Sequence, residues 1–127
     1  MREDLFIDWV DMEWCWRARK KGYKLIGNAD VTVYHQHGES SVRFLGKDIT
    51  IRKPWRYYYT IRNGIYLSLH SDLLNPYLRT LLFIKTVRNS FMYPLLTKPR
   101  LKSLKYSILG LYHGLIGRLG KLEDGTH

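Results

Sequence analysis

The sequence predicts an α/β segment followed by basic amphipathic helices, and three patterns support that fold class. A helix is expected from Val10 or Asp11 to Lys21, because acids fill its first turn, bases fill its last turn, and a glycine follows. Runs rich in β-branched and aromatic residues then predict two strands, at residues 23–27 and 31–35. A helix followed by such strands is typical of an α/β layer. Farther along, leucines recur at steps of three and four residues, which predicts amphipathic helices.

These patterns divide the chain of 127 residues into two predicted parts. Residues 1–50 are expected to form the end of an α/β domain, and residues 51–127 a basic helical tail. The polar residues 42–53 are expected to form a flexible loop over an active site. Three helices of the tail are expected to begin at prolines, namely Pro54, Pro76 and Pro99. The second of them is expected to end at Tyr93, because a proline follows.

The chain is strongly basic, and its bases lie among leucines. Its 21 Lys and Arg residues against 11 Asp and Glu residues give a formal net charge of +10. Between Leu73 and Leu122 the sequence contains no acidic residue, and no apolar run reaches the length that spans a bilayer. Basic helices that also carry tyrosine and phenylalanine suit an anionic membrane surface. The single Cys15 excludes an internal disulfide and fits a reducing, cytosolic setting.

Three carboxylates near the start of the chain are candidates for proton transfer. Asp8, Asp11 and Glu13 lie within six residues of one another, among three tryptophans and a phenylalanine. A solvated acidic run would not carry so many large apolar neighbours. Carboxylates at the mouth of a helix, beside aromatic walls, could accept a proton from a substrate. The alternative is that Asp11 only caps the helix and that Glu13 only complements its dipole.

A histidine pair follows the second predicted strand. His35 and His37 would point to the same side of an extended strand, where imidazoles can bind a divalent metal. A pair of this spacing is a weak signal, and histidines that serve other roles are more common. The residues alone therefore leave the metal site open.

The stretch F-I-D-x-V-D-x-E-W-C-x-R-A-x-x-x-G-Y resembles the end of the catalytic domain of family 2 glycosyltransferases, especially their rhamnosyltransferase-like branch. Alignment of Arg17 and Gly22 with the family pattern puts Asp11 on the catalytic aspartate and Glu13 on the second acid. Asp8 is an alternative acid supplied by this branch. The resemblance implies that the chain is a C-terminal fragment of a GT-A-type nucleotide-sugar transferase domain, with amphipathic helices after it.

The resemblance also implies a metal and several substrate contacts. His35, Gly38 and Ser40 match the H-x-x-G-x-S of many members, and this histidine is implied to hold the Mg²⁺ or Mn²⁺ that binds the donor diphosphate. The D-x-D metal motif of the family does not occur in this sequence. Substrate contacts are expected from Trp14 and Arg17 as well.

A second stretch, P-x-R-x-Y-Y-x-x-R-N, is similar to a segment that follows the catalytic domain in the same branch. Its arginines, Arg56 and Arg62, could pair with phosphate while the tyrosines stack against sugars. The alternative is a helix whose aromatic stripe is core and whose arginines extend their charge to solvent.

The function that the resemblance implies is inverting transfer of a sugar from a dTDP-rhamnose-like donor during the synthesis of cell-surface polysaccharide. The partners expected are the nucleotide-sugar donor, a saccharide or polyprenyl-diphosphate-linked acceptor, and an anionic membrane surface. We expect a cytoplasmic protein on the inner face of the plasma membrane, and a stretch that is inactive without the rest of a longer enzyme. The alternative is a non-catalytic basic fragment that binds membrane or nucleic acid, although no nucleic-acid module is recognised and none is expected as a partner.

Overall fold

The structure is a computed structural model that describes residues 2–30, 32, 41–44 and 46–122. Its elements, in chain order, are a 3₁₀ turn at Glu3–Leu5, helix α1 at Val10–Lys20, strands β1 at Ser41–Phe44 and β2 at Lys47–Thr50, and helices α2 at Pro54–His70, α3 at Pro76–Leu96 and α4 at Arg100–Ile116. In the part of the chain that the structure describes, no helix is long and apolar enough to cross a bilayer.

Helix α2 is the centre of the fold, and both α3 and α4 pack against it. Six of its aromatic and aliphatic side chains are almost wholly buried, namely Tyr57, Tyr58, Tyr59, Ile61, Ile65 and Leu67. Burial of this much apolar surface is the main stabilising contribution to a fold of this size. The aromatic stripe predicted as an alternative interpretation of this stretch is therefore confirmed as core.

Two glycines of α4 allow its backbone to touch that of α2. A Cβ atom at Gly110 would lie 2.8 Å from the carbonyl oxygen of Tyr58, and one at Gly114 would lie 2.8 Å from that of Arg62. On the α3 side, a Cβ atom at Gly64 would lie 2.5 Å from the hydroxyl of Thr86. Only a hydrogen fits at these points, so the three helices meet closely along α2.

The prediction of an α/β fold is wrong for the described residues. Their strands β1 and β2 form one antiparallel hairpin, in which Ser41 pairs with Thr50 and Phe44 with Lys47. This hairpin lies where a flexible loop was expected. The run Tyr23–Gly27, expected as a strand, has no strand structure, and Ile26 is 88% exposed. β-Rich composition does not make a strand where no neighbouring strand pairs with it. Most of the second expected strand lies outside the described residues.

The helix boundaries agree better with the sequence. Helix α1 begins at Val10 and is followed by Gly22 at φ +86°, as expected, and α2 begins at Pro54. Asn75 caps α3, because its side chain accepts a hydrogen bond from the backbone N–H of Leu78. The expected end of α3 at residue 93 is wrong, since the helix continues through Pro94 to residue 96. Pro94 is buried, and packing there outweighs the hydrogen bond that a proline cannot donate.

The segment before α1 packs onto α2 and is not extended. The 3₁₀ turn buries Leu5 completely, and Phe6, Asp8 and Trp9 then adopt positive φ angles of 64°, 60° and 64°. These contacts join the two parts that the sequence suggested, and the division at residue 50 stays a prediction.

Candidate active site

The amide of Asn63 fixes the backbone of residues 5–9. Its nitrogen Nδ2 donates hydrogen bonds to the carbonyl oxygens of Leu5 at 2.9 Å, Ile7 at 2.8 Å and Asp8 at 3.1 Å. Asn63 has no exposed surface, so these bonds form away from water, where an unpaired carbonyl would be costly. The amide therefore supports the left-handed backbone that leads into α1.

The guanidinium of Arg62 completes this support. It donates to the carbonyl oxygens of Leu5 at 2.9 Å and of Gly120, and its Nε donates to the side-chain oxygen of Asn63 at 2.9 Å. Its charge lies 5.3 Å and 5.0 Å from the ring centroids of Tyr58 and Tyr59. Arg62 was predicted to bind substrate, but its exposed fraction is 0%. In this arrangement it contacts the protein itself and no open cleft.

Asp8 is a second fixed point of the same segment. Its Oδ1 accepts hydrogen bonds from Arg52 at 2.9 Å and from Arg56 at 3.3 Å, and its Oδ2 accepts from Thr60 at 2.9 Å and from the Nε of Arg56 at 3.4 Å. The side chain is only 10% exposed. Both oxygens are thus occupied, and Asp8 could take a substrate proton only after a donor had moved. Trp9 adds a further bond, from its ring nitrogen to the carbonyl of Thr60 at 2.9 Å.

The side chain of Asp11 is exposed to solvent. It stands in the first turn of α1, and its carboxylate has no hydrogen-bond or ion-pair partner among the described residues. It lines a cleft of about 370 Å³, which is walled by Phe6, Ile7, Asp8, Trp9, Val10, Met12 and Arg56. We call this the Asp11 cleft. It brings together three of the predicted site residues, Asp11, Asp8 and Arg56, and it leaves the carboxylate of Asp11 accessible to a ligand.

Glu13 points the other way. Residues two apart on an α-helix are separated by about 200° around its axis, so Glu13 faces the interior when Asp11 faces solvent. Glu13 is 1% exposed and forms an ion pair with Arg17 at 3.0 Å, one turn later. The structure therefore does not bring the two predicted acids together at one cleft.

Trp14 and Arg17 line a different cleft, of about 390 Å³. Its other walls are Ala18, Lys21, Tyr23, Lys24 and Leu25. Trp14 is 48% exposed and follows Asp11 by three residues, so both lie on the outward side of α1. An exposed indole beside several bases suits a ligand that combines a sugar ring with negative charge.

Three predicted site residues, His35, Gly38 and Ser40, lie outside the described residues. Within the described ranges, no three His, Cys, Asp or Glu side chains lie close enough together to hold a metal ion. Asp8, the buried acid of the site, already accepts four bonds from protein donors. The described residues thus do not form a metal site, and both the Mg²⁺ or Mn²⁺ and its ligand His35 stay a prediction.

Some residues of the site carried no assignment from the sequence. Thr60 follows Arg56 by four residues, and that spacing on a helix could have linked both to one partner. Arg52 lies in a segment expected to be a loop, and Asn63 binds residues more than fifty positions earlier. Neither contact has a local signal in the sequence.

Comparison with known proteins gives one informative similarity. The chain is 34% identical to the dTDP-rhamnosyl transferase RfbF of Shigella flexneri over 124 aligned residues. The match covers 94% of this chain but only 40% of that relative, so the chain spans about two fifths of its length. No family model matches the sequence, and no solved structure matches it. The similarity supports the resemblance to a rhamnosyltransferase, whereas membership of family 2 stays a prediction. Over nearly all of its length, this chain is similar to part of a dTDP-rhamnosyl transferase.

Proposed function

We propose that this chain supplies the acceptor side of an inverting family 2 glycosyltransferase, which transfers a deoxyhexose such as rhamnose from a dTDP-activated donor. The observation that carries the proposal is the open carboxylate of Asp11 at the mouth of α1, beside a rigid wall of arginine and aromatic groups. The named activity of the Shigella relative supports the same reaction class. The acceptor is a saccharide or a polyprenyl-diphosphate-linked saccharide.

The reaction needs one base and one displacement. Asp11 accepts the proton of an acceptor hydroxyl while the oxygen of that hydroxyl forms a bond to the anomeric carbon of the donor. The bond from that carbon to the diphosphate breaks on the opposite face, and the nucleoside diphosphate leaves with the bonding electrons. Transfer therefore inverts the anomeric configuration. An acid that is held by a fixed backbone is suited to this role, because the acceptor oxygen must lie within hydrogen-bond reach.

The other predicted residues divide between binding and support. Arg56 binds polar groups of the acceptor in the Asp11 cleft, since about a third of its side chain remains exposed beside its pair with Asp8. Trp14 and Arg17 bind a more distant sugar or phosphate of the acceptor in the cleft that they line. Asp8, Glu13 and Arg62 act as support for α1.

A chimaera of the Shigella relative tests the base. In it, this chain replaces the matching stretch of RfbF, and rhamnosyl transfer from dTDP-rhamnose is measured. We expect transfer by the chimaera, and a loss of about 10²- to 10⁴-fold on Asp11→Asn, the usual effect of removing a general base. Binding of the donor should be unchanged. Asp30→Asn, which alters an exposed carboxylate of a turn, is the matched control.

Circular dichroism separates loss of chemistry from loss of structure. A chimaera with Asp11→Asn that keeps its helical spectrum and transfers as fast as its parent would refute the assignment of Asp11 as base. The chain alone is expected to be inactive, and transfer by the isolated 127-residue protein would contradict that part of the proposal.

An anionic membrane surface is the second partner. Large apolar residues remain exposed along one side of α3, namely Tyr77, Leu81, Ile84, Phe91 and Leu95, and along one side of α4, namely Leu101, Leu104, Ile108, Tyr112 and Leu115. They recur at helical spacing, so each set forms a stripe that faces away from α2. Arg88 and Lys105 lie within these stripes, and the sequence there contains no acid. Apolar surface bordered by bases complements anionic lipid, which agrees with a peripheral position on the inner face of the plasma membrane.

Vesicle binding tests this partner. We expect the chain to bind phosphatidylglycerol vesicles, and to bind them about tenfold more weakly with Ile108→Glu, whose charge would oppose anionic lipid. Ile26→Glu is the matched control, because Ile26 is equally apolar but is 88% exposed outside the helices. Salt-sensitive binding to RNA without binding to vesicles would favour the nucleic-acid alternative instead.

A further inference from the structure

We propose that a third cleft, which shares walls with the Asp11 cleft, binds the diphosphate group of a substrate. The cleft has a volume of about 350 Å³ and is lined by Asp8, Trp9, Met12, Arg52, Tyr57, Thr60, Lys85, Asn89 and Tyr93. We call it the Lys85 cleft. The inference rests on the proposed function, because it names a binding site for one part of the substrates of that reaction.

The charges of the cleft favour an anion. Arg52 and Lys85 provide two positive charges, against the single carboxylate of Asp8. That carboxylate is already paired with Arg52 and Arg56 and buried behind them. Lys85 is exposed and has no carboxylate partner among the described residues. The cleft therefore keeps a net positive charge, which a phosphate group would neutralise.

Neutral donors complete the surface. The hydroxyl of Tyr93 accepts a hydrogen bond from Asn89 at 3.3 Å, and its own proton is left to donate to a ligand. Burial raises the pKa of Tyr93, so its hydroxyl stays protonated at neutral pH. The ring is held by stacking on Tyr57, with centroids 4.3 Å apart. A cation, an amide and a phenol in one cleft form a donor set that suits the oxygens of a diphosphate.

The position of the cleft links it to the proposed reaction. Asp8, Trp9 and Met12 are walls of both the Asp11 cleft and the Lys85 cleft. A ligand in the Lys85 cleft therefore lies one side-chain layer away from the Asp11 cleft. One substrate could present its reacting group in one cleft and its diphosphate in the other. The volume is at the lower end of the range for small-molecule sites, which suits a diphosphate and not a whole nucleotide sugar.

Binding of inorganic pyrophosphate to the 127-residue chain tests the cleft directly. Titration calorimetry at fixed ionic strength should show saturable binding, weakened about tenfold by Lys85→Gln and less strongly by Tyr93→Phe, which keeps the stacked ring. A tenfold loss corresponds to about 1.4 kcal/mol. Lys102→Gln on α4 removes the same charge from an exposed position outside the cleft and should bind as the wild type does. Equal binding by wild type, Lys85→Gln and Lys102→Gln would overturn the proposal.

Competition identifies the source of the diphosphate. Farnesyl diphosphate stands for a prenyl-linked acceptor and thymidine diphosphate for the donor, and the one that displaces pyrophosphate at the lower concentration marks which substrate uses the cleft. If neither displaces it, the proposal fails. In the chimaera, Lys85→Gln should raise KM for that substrate and leave kcat nearly unchanged. Lys85-dependent binding of pyrophosphate by a chimaera that transfers no rhamnose would instead refute the proposed function and leave the cleft in place.

Discussion

Asn63 on α2 and Asp11 on α1 both lie beside the segment of residues 5–9, but their surroundings are opposite. Asn63 has no exposed surface, and its amide nitrogen donates to three carbonyl oxygens of that segment. Asp11 is exposed, and none of the described residues bonds to its carboxylate. Of the two polar groups beside the segment, the amide of Asn63 thus forms all of its hydrogen bonds within the protein, and the carboxylate of Asp11 is exposed and open to a ligand.

The difference separates residues that hold the backbone in place from an exposed residue that a ligand can reach. A buried polar group with all of its partners makes a region rigid, because each of those partners would be costly to leave unpaired. An acid on the surface costs little and can change partners. Arg62, Asp8 and Glu13 belong with Asn63 by this criterion, although their charges made them candidates for chemistry.

The largest effect on stability is expected from Asn63→Ala. The change removes the donor of three hydrogen bonds to backbone carbonyl groups, one of them in a buried bond, so it should lower the free energy of unfolding by about 3 kcal/mol. Urea denaturation measures this loss. Asn28→Ala, in an exposed turn, should change the free energy by less than about 0.5 kcal/mol. A loss below about 1 kcal/mol for Asn63→Ala would show that α2 does not hold the segment in this way.

A smaller loss is expected from Gly114→Ala. Its new methyl group would lie 2.8 Å from both the carbonyl oxygen of Arg62 and the Cβ of Ile65, so α4 must move away from α2, at a cost of about 2 kcal/mol. Gly27→Ala is the control, because a Cβ atom there meets no atom within 4 Å and the residue lacks a positive φ. Thermal unfolding should separate the two variants, and equal stability would show that the helices are not in backbone contact.

The two predicted acids should differ in the same way. Glu13→Gln weakens a charged hydrogen bond to Arg17 inside the protein and should cost about 1 kcal/mol in urea denaturation. Asp11→Asn should change stability by less than about 0.5 kcal/mol, while lowering transfer in the chimaera by about 10²- to 10⁴-fold. If Asp11→Asn were the more destabilising change, Asp11 would be a structural residue and the roles would be reversed.

The smallest effect is a dependence on pH from the contact between α2 and α4. Burial, with Arg118 and Arg62 nearby, lowers the pKa of His113 below its usual 6.5, and its Nδ1 lies 2.8 Å from the hydroxyl of Tyr58. The unfolded chain binds this proton more readily, so stability is fully present above pH 6.5 and falls as the pH decreases below it. His113→Gln should make the unfolding temperature depend less on pH between about pH 5 and pH 7. If the dependence on pH is unchanged in this variant, other groups cause it.

Local signals predicted the helices well. Gly22 follows α1 in the left-handed region, Pro54 opens α2, and Asn75 caps α3, since each of these roles depends on a few neighbouring residues. Tyr23–Gly27 has the composition of a strand, but composition does not specify a partner strand. The resemblance to a family led to the same error, because it implied the fold of a whole domain, whereas the described residues form mainly helices.

The sequence named some residues of the candidate cleft but not their arrangement. Asp11, Asp8 and Arg56 do share a cleft. The sequence could not show which side of α1 is buried, because α1 itself carries large apolar residues on every face. Trp14 faces outward and Trp16 faces the core. Asp11 and Glu13 are separated because packing in the folded protein buries one face of α1 and exposes the other. That packing depends on contacts between residues far apart in sequence.

The contacts of Asn63 also set the order in which the chain can mature. Leu5 and Asn63 are 58 residues apart in the sequence. A ribosome that adds about 5–20 residues per second therefore makes Leu5 about 3–12 s before it makes Asn63. Until α2 emerges, the hydrogen bonds from Asn63 to the backbone of residues 5–8 cannot form. The backbone that leads into α1 can therefore reach its final geometry only after α2 has been made.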